Sequence, residues 1–478
     1  MLACRPHLLP NPTHDVRRMT ETPPFSGSLT RRRFLAAASA ALLPAPAFAQ
    51  AMGEGNVDIA IVGGGAAGIA AARKVADAKR SYVLLEAGPK LGGRARTLNV
   101  FGQNVDLGAS GFARGDGTLA ESAQAAGQGL VALPSGRRLF DGRREAHESG
   151  YDAFTAALGK ARRDLLAAAD TGKDPAAAAV LAAASGAPAT VSGWSATAAA
   201  FLGPLSCGRP LASLSALDLA LRDAPPDDTT GPAGMGALME ALGAWLNVQT
   251  DAPVTQITNA GRLHMLTVRN QRTPIRARAI ILAVPAPVIA AGAIRFNPAL
   301  PPRFANAFRA IPAGALEQVA FLLPGNPLGL EPNETVLARV GVDGKVPPAL
   351  LRGHINGSDV HVLTFADAQA REIAEKGETA ALALVRTYLG ATFGIAGDTV
   401  KEVSASRWTS DPLFRGALAA ASPGQGAQRR VFADPLQNRI FLAGDYVDTS
   451  GWGTLTAAWS AGEAAATRAL RLVGDGPA

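Results

Sequence analysis

Cysteine is nearly missing from this 478-residue chain: Cys4 and Cys207 are the only two. Cys4 falls in an N-terminal stretch that reads as a removable leader. Cys207 is then alone, and no intrachain disulfide is expected even in an oxidising compartment. A lone cysteine is more often buried filler than a nucleophile. Histidine is also scarce, with six residues and no pair at metal-ligand spacing. His354 and His361 have no ligand cluster near them and are expected in a strand pair, so no metal site is expected. Long apolar runs are lacking, since none in the body reaches the ~18–20 residues of a membrane span. Charged residues make up 18% of the chain against 48% hydrophobic, which permits a large core in two or more domains. An excess of positive charge is absent once the leader is set aside. Residues 1–49 hold six arginines and two acids, so the net charge falls from +7 to +3 without them. Nothing then points to nucleic acid or to an anionic membrane surface.

The leader itself is Thr30-Arg-Arg-Arg-Phe-Leu35, a small-residue apolar stretch to Leu43, then prolines and Ala47-Phe-Ala49. This is a basic region, an apolar region and an A-x-A cleavage site. The paired arginines before Phe34-Leu35 resemble a twin-arginine export signal, a route that moves proteins already folded. The expectation is an exported, periplasmic protein cleaved after Ala49. Met19 is a second candidate start.

The strongest positive signal is Val57-Asp-Ile-Ala-Ile-Val-Gly-Gly-Gly-Ala-Ala-Gly68. It predicts a strand, a glycine turn and a helix, followed by a second strand (Tyr82 to Leu85) that ends at Glu86. Gly63 allows the tight turn, Gly65 lets the backbone approach a pyrophosphate, and Gly68 lets the helix pack on the strand. Ala66 and Ala67 sit in the first helical turn, where unpaired N–H groups and the dipole favour phosphate. Glu86 follows Gly68 by 18 residues, near the ~20 expected for a carboxylate that binds a ribose. This is the layout of a dinucleotide site.

The chain continues Glu86-Ala-Gly-Pro-Lys-Leu-Gly-Gly-Arg94, then Val105-Asp-Leu-Gly-Ala-Ser-Gly111. With these residues it resembles the flavin-containing amine oxidases, the monoamine oxidase-like group. The resemblance implies that Ala87, Gly93 and Arg94 lie along the FAD phosphates and that Gly108, Ala109 and Ser110 approach the flavin ring. Arg94 offers a planar fork of donors suited to pyrophosphate. At the far end, Asn438-Arg-Ile-Phe-Leu-Ala-Gly444-Asp445 is a short strand closed by Gly-Asp, and Thr454 to Leu470 reads as a small-residue helix. In the family this pair and the helix N-terminus, here Thr454 and Leu455, hold the ribityl chain and the pyrimidine edge. Gly234-Met-Gly-Ala-Leu-Met239, the hairpin opened by Val254 and Ile257, and Ala279 to Pro285 resemble the family's second FAD segment, with Val254 at the adenine half.

The fold implied is α/β: a Rossmann-like FAD-binding domain with a discontinuous α+β substrate domain. FAD-binding segments are expected at 50–118, 225–290 and 400–478, and substrate-binding segments at 119–224 and 291–399. The Ala- and Leu-rich part from Leu119 to Leu221 reads as several short helices broken at Gly150, Gly172, Gly186 and Pro204. Beyond Phe296, strands are expected at Gln318–Leu323 and Val360–Phe365, and helices at Asp367–Glu375 and Thr379–Leu389. A homodimer is left open.

Four family positions are occupied differently here. The family's lysine, water-linked to the flavin, falls on Gln318 in Gly314-Ala-Leu-Glu-Gln, and no lysine occurs from Ala291 to Val340. Glutamine can hold a water but carries no charge, so slower reoxidation by oxygen is expected. Arg407-Trp408 matches the family's tryptophan. Ala417 stands where covalent members carry a cysteine, so FAD should be non-covalent. The aromatic pair falls on Leu418 and Thr454, neither aromatic, with Trp452 a candidate wall or a core residue. Gln318, Trp408, Leu418, Trp452 and Thr454 are the expected reaction chamber. The resemblance implies oxidation of an amine C–N bond to an imine that water hydrolyses, with oxygen or another acceptor. The same fold also hosts carbon–carbon desaturases, and a flavin-binding subunit without turnover is a third reading.

Overall fold

The computed structural model describes residues 56–115, 117–185, 194–340 and 348–474. The leader expected at 1–49 lies outside them, as does the break expected at Gly186.

Two large sheets organise the chain. The first is eight-stranded, and its centre is the apolar strand Asn56–Val62. It lies between Tyr82–Leu85 and Ile275–Leu282, parallel to both. Their C-terminal parts, Ile59–Val62, Val83–Leu85 and Ala279–Leu282, are continuous apolar and buried runs, as strands covered on both faces must be. The hairpin Val254–Asn259 with His264–Val268 extends the sheet beyond Ile275–Leu282, and Ile440–Leu442 pairs with the end of that same strand. Arg295–Asn297 completes this edge by pairing with Val254–Asn259. The helix Ala66–Asp77 packs on one face together with the C-terminal helix Leu455–Gly474. Their facing residues are mostly alanine and glycine, which lets the two backbones approach closely.

The second sheet has seven strands, with Leu316–Leu322 between Val360–Ala366 and Val403–Ala405. It is antiparallel apart from one pair, Arg138–Asp141 with Thr335–Ala338. The helix Glu378–Phe393 covers its core of Val319, Phe321, Leu363 and Phe365.

The helical stretch differs in detail from the expectation. Gly150 lies inside a 23-residue helix, Glu148–Asp170, rather than ending one. A glycine in the first turn costs little where the next twenty residues favour helix. Gly172, at φ +69°, does follow the end of that helix, and Pro204 opens the short helix Pro204–Cys207. The strand Arg138–Asp141 sits where only helices were expected. His361 lies on the Val360–Ala366 strand, but His354 caps a turn with φ +51° and is not in a strand. No described helix is long and apolar enough to cross a membrane.

Candidate active site

A cavity of about 590 Å³ opens where the parallel strands of the first sheet end. This is where open α/β sheets place ligands. Its floor is the glycine turn. Gly63 has φ +104°, and a Cβ there would stand 2.5 Å from the Ala283 carbonyl oxygen. At Gly68 a Cβ would stand 1.8 Å from the Gly63 carbonyl oxygen, so only glycine lets the helix start this close to the strand. Gly65, in extended conformation, is the N-cap of Ala66–Asp77 and has no side-chain cap. Gly65, Ala66 and Ala67 line the cavity, so the first-turn N–H groups open onto it.

Glu86 closes one side. Its Oε2 accepts the Gly64 N–H at 2.5 Å and its Oε1 accepts the Gly88 N–H at 2.7 Å. Burial pushes its pKa up, while these backbone donors pull it back. The carboxylate thus fixes the glycine turn to the following loop and keeps lone pairs for a ribose. Val254, Ala87, Gly93, Gly108, Ala109 and Gly444 line the same cavity.

Arg94 lines the cavity as well. Its guanidinium grips the Asp445 carboxylate with both Nη atoms, one at 3.2 Å, and Nη1 also donates to the Ala417 carbonyl. The pair ties the Gly92-Gly93 loop to the Gly444-Asp445 turn and holds the guanidinium at the cavity wall. Thr454 caps the C-terminal helix, its Oγ1 accepting the Ala457 N–H at 3.1 Å, and Leu455 follows it on the cavity wall. Two helix N-termini therefore point into one space, and both favour negative charge.

The opposite wall carries Gln318, Trp408 and Leu418. Trp408 is buried, its Nε1–H donates to the Leu107 carbonyl at 2.8 Å, and its ring meets Phe414 edge-on at 5.0 Å. The Gln318 backbone N–H and carbonyl are both paired with Ser406, whereas the side-chain Oε1 is buried without a partner. Two expected residues are elsewhere. Trp452 does not line the cavity. It is fully buried, stacked 4.7 Å from both Arg222 and Arg429, and its Nε1–H donates to the Asp218 carbonyl at 3.2 Å. Ser110 lines a separate space of about 20 Å³ beside Asn104 and Asp106.

Other lining residues escaped the sequence reading: Thr364, the cross-strand partner of Gln318, and Arg269, Leu413 and Phe414. Thr364 had a weak signal, the alternation of its strand. The others follow only from how loops fold over the cavity.

A cavity floored by a glycine turn, flanked by a paired carboxylate and faced by two helix N-termini has the shape and polarity that a flavin dinucleotide requires. Residues 66–470 match the model of the flavin-containing amine oxidoreductases. The chain belongs to that family. Among its relatives is polyamine oxidase 4 of Oryza sativa subsp. japonica, 28% identical over 243 residues, which are 50% of this chain and 48% of that protein. Lysine-specific histone demethylase 1B of Mus musculus is 24% identical over 255 residues, 49% of this chain and 29% of that protein. The chain thus spans less than half the length of these curated relatives. A putrescine oxidase bound to putrescine superposes with a TM-score of 0.73 at 19% identity, covering 87% of this chain and 99% of that one. This family member therefore has the amine oxidase fold, a Rossmann-like FAD-binding part joined to a substrate-binding part.

Proposed function

We propose that this protein is an exported, periplasmic enzyme that binds FAD non-covalently and oxidises an amine C–N bond to an imine, which water hydrolyses. Oxygen or another acceptor takes the electrons. The flavin, when bound, supplies the two-electron acceptor. The observation that carries the reading is the single cavity that joins the dinucleotide floor, at Gly63 to Gly68 and Glu86, to a mainly apolar chamber at Gln318, Trp408, Leu418 and Thr454.

The residues divide the work. Glu86 and the two helix N-termini bind and orient the cofactor. Trp408 and Leu418 exclude water from the chamber and shape it. Gln318, with its unpartnered Oε1, is able to hold one water by its side chain. No cysteine or histidine is among the described lining residues, which supports non-covalent binding. The relatives named for polyamine and putrescine support amines as the substrate class. The twin-arginine pattern at Arg31 to Leu35 supports export after the cofactor has been taken up.

The test follows the flavin absorbance of the purified chain without oxygen, while primary, secondary and tertiary amines and amino acids are added. Bleaching by one of them is expected, and admitting air then identifies oxygen as acceptor or not. Bound flavin that none of these compounds bleaches would overturn the reading.

A further inference from the structure

Behind the cavity lies an ion pair that the reading above does not use. Asp218, on the helix Ala216–Leu221, is 3% exposed, and Arg429, in the 3-10 helix Gly426–Ala433, is 1% exposed. They meet fork to fork: Asp218 Oδ1 accepts the Arg429 Nε–H at 2.8 Å and Oδ2 accepts an Nη2–H at 2.7 Å. Taking both charges out of water is costly, and apolar residues of the same volume often serve stability as well or better. Stability alone is therefore a poor account of this pair.

Its remaining bonds run to three segments of the cavity wall. Arg429 Nη1–H donates to the Tyr446 carbonyl at 2.9 Å, and Nη2–H also donates to the Ala419 carbonyl at 3.1 Å. Asp218 Oδ2 accepts the Ala421 N–H at 2.7 Å. The guanidinium lies 4.7 Å from the centre of the Trp452 ring, whose Nε1–H donates to the Asp218 carbonyl. Neither charged residue lines the cavity, but the segments they hold do. Ala419 follows Leu418. Tyr446 follows Asp445 and lines the cavity itself. Trp452 precedes Gly453 and Thr454, where the C-terminal helix starts. Two of these segments also touch: a Cβ on Gly453, at φ +82°, would stand 3.2 Å from Leu418. A planar fork fixes the directions of its donors, so one guanidinium sets all three segments relative to each other.

We propose that Asp218 and Arg429 are positioning residues: through Ala419, Ala421, Tyr446 and Trp452 they set the chamber wall at Leu418 and the helix N-terminus at Thr454 against the flavin. The proposal rests on the flavin reading above. The field of a helix N-terminus favours negative charge only close to the first turn. A small displacement of Thr454 therefore changes how readily the flavin takes up electrons, as well as how tightly it is held.

The test uses the full chain with FAD as the probe. Arg429→Lys keeps the charge and loses the fork. Asp218→Leu together with Arg429→Met removes both charges at similar volume. For each protein the FAD dissociation constant, the flavin midpoint potential and the urea midpoint are measured. Both variants are expected to bind FAD about tenfold more weakly or worse, the loss of one or two backbone ties, and to show a lower flavin potential than wild type. A pair that served stability alone would move the urea midpoint and leave FAD affinity and potential unchanged, and that result would overturn the proposal. Hydrogen exchange of the wild-type chain stripped of flavin is the second measurement, independent of whether a variant folds. Peptides covering Leu418 to Ser422 should exchange as slowly as the central strand Asn56–Val62. Exchange there as fast as in exposed loops would show that the pair does not hold the wall, and would also overturn the proposal. A wild-type chain that takes up no FAD would overturn the flavin reading together with it.

Discussion

The buried carboxylate of Glu317 accepts the backbone N–H of Trp408 at 3.0 Å. It also accepts the Thr409 N–H at 2.8 Å and the Ser406 hydroxyl at 2.5 Å. One side chain, next to Gln318 on the strand and facing away from the cavity, therefore fixes the loop that presents Trp408. Changing Glu317 to Gln turns one acceptor oxygen into a donor that faces donors. A loss of about 2–3 kcal/mol in stability is expected. The Trp408 signal in near-ultraviolet circular dichroism should change with it. A variant that unfolds at the same denaturant concentration and keeps that signal would show that the loop holds itself.

Gly68 allows a direct test of the cofactor floor. Its missing side chain leaves room for the Gly63 carbonyl oxygen, 1.8 Å from where a Cβ would be. Gly68→Ala must push the first helical turn off the strand, at a cost of about 3 kcal/mol or more. The expected outcome is a chain that purifies with little or no bound flavin, judged by the ratio of flavin to protein absorbance. Wild-type flavin content would mean that the dinucleotide lies elsewhere.

These two sites differ in how far sequence revealed them. The glycine turn, Glu86 and the parallel strands were legible because their spacing is dictated by local geometry: a turn, a helix start and a strand of fixed length. Thr454 and Leu455 were legible for the same reason, as a helix start. The Arg94–Asp445 pair was not, although both residues were singled out, because a pairing across 351 positions is fixed by tertiary packing. Trp452 lies two residues from Thr454, yet it turns away into the Asp218–Arg429 pair. Which side of a loop faces a cavity has no periodic signature. Glu317 went unnoticed since a buried acid reads like an exposed one until its donors are known.

His264 sets an acid limit on stability. It is buried, neither ring nitrogen has a hydrogen-bond partner, and burial with Arg439 nearby lowers its pKa from 6.5 to about 4. The folded state therefore holds this imidazole neutral, while the unfolded chain protonates below about 6.5. Between these values the unfolded state binds more protons, so stability is full above the unfolded pKa and falls as pH drops toward 4. By pH 5 the loss is about 2 kcal/mol. His264→Leu should flatten this part of the profile, measured as urea midpoints at pH 7 and pH 5. Equal pH dependence in both proteins would mean that other groups control acid sensitivity.

Gln318 offers the sharpest test of the chemistry. Its backbone is locked to Ser406 on one side, and its cross-strand partner Thr364 lines the cavity with it. The side chain is thus held at the chamber wall, with Oε1 unpaired inside the protein. A lysine there would bring a full positive charge into a mainly apolar cavity, where Coulomb energies exceed those in bulk water. Even about 1.4 kcal/mol of preferential stabilisation is tenfold in rate. Gln318→Lys should therefore speed the return of flavin colour, once air is admitted to the bleached protein, by about tenfold. Bleaching by the amine itself should change less. If the return of colour is unchanged while the variant folds and keeps its flavin, charge at this wall does not limit the reaction with oxygen. Another acceptor would then be the one this cavity is built to serve.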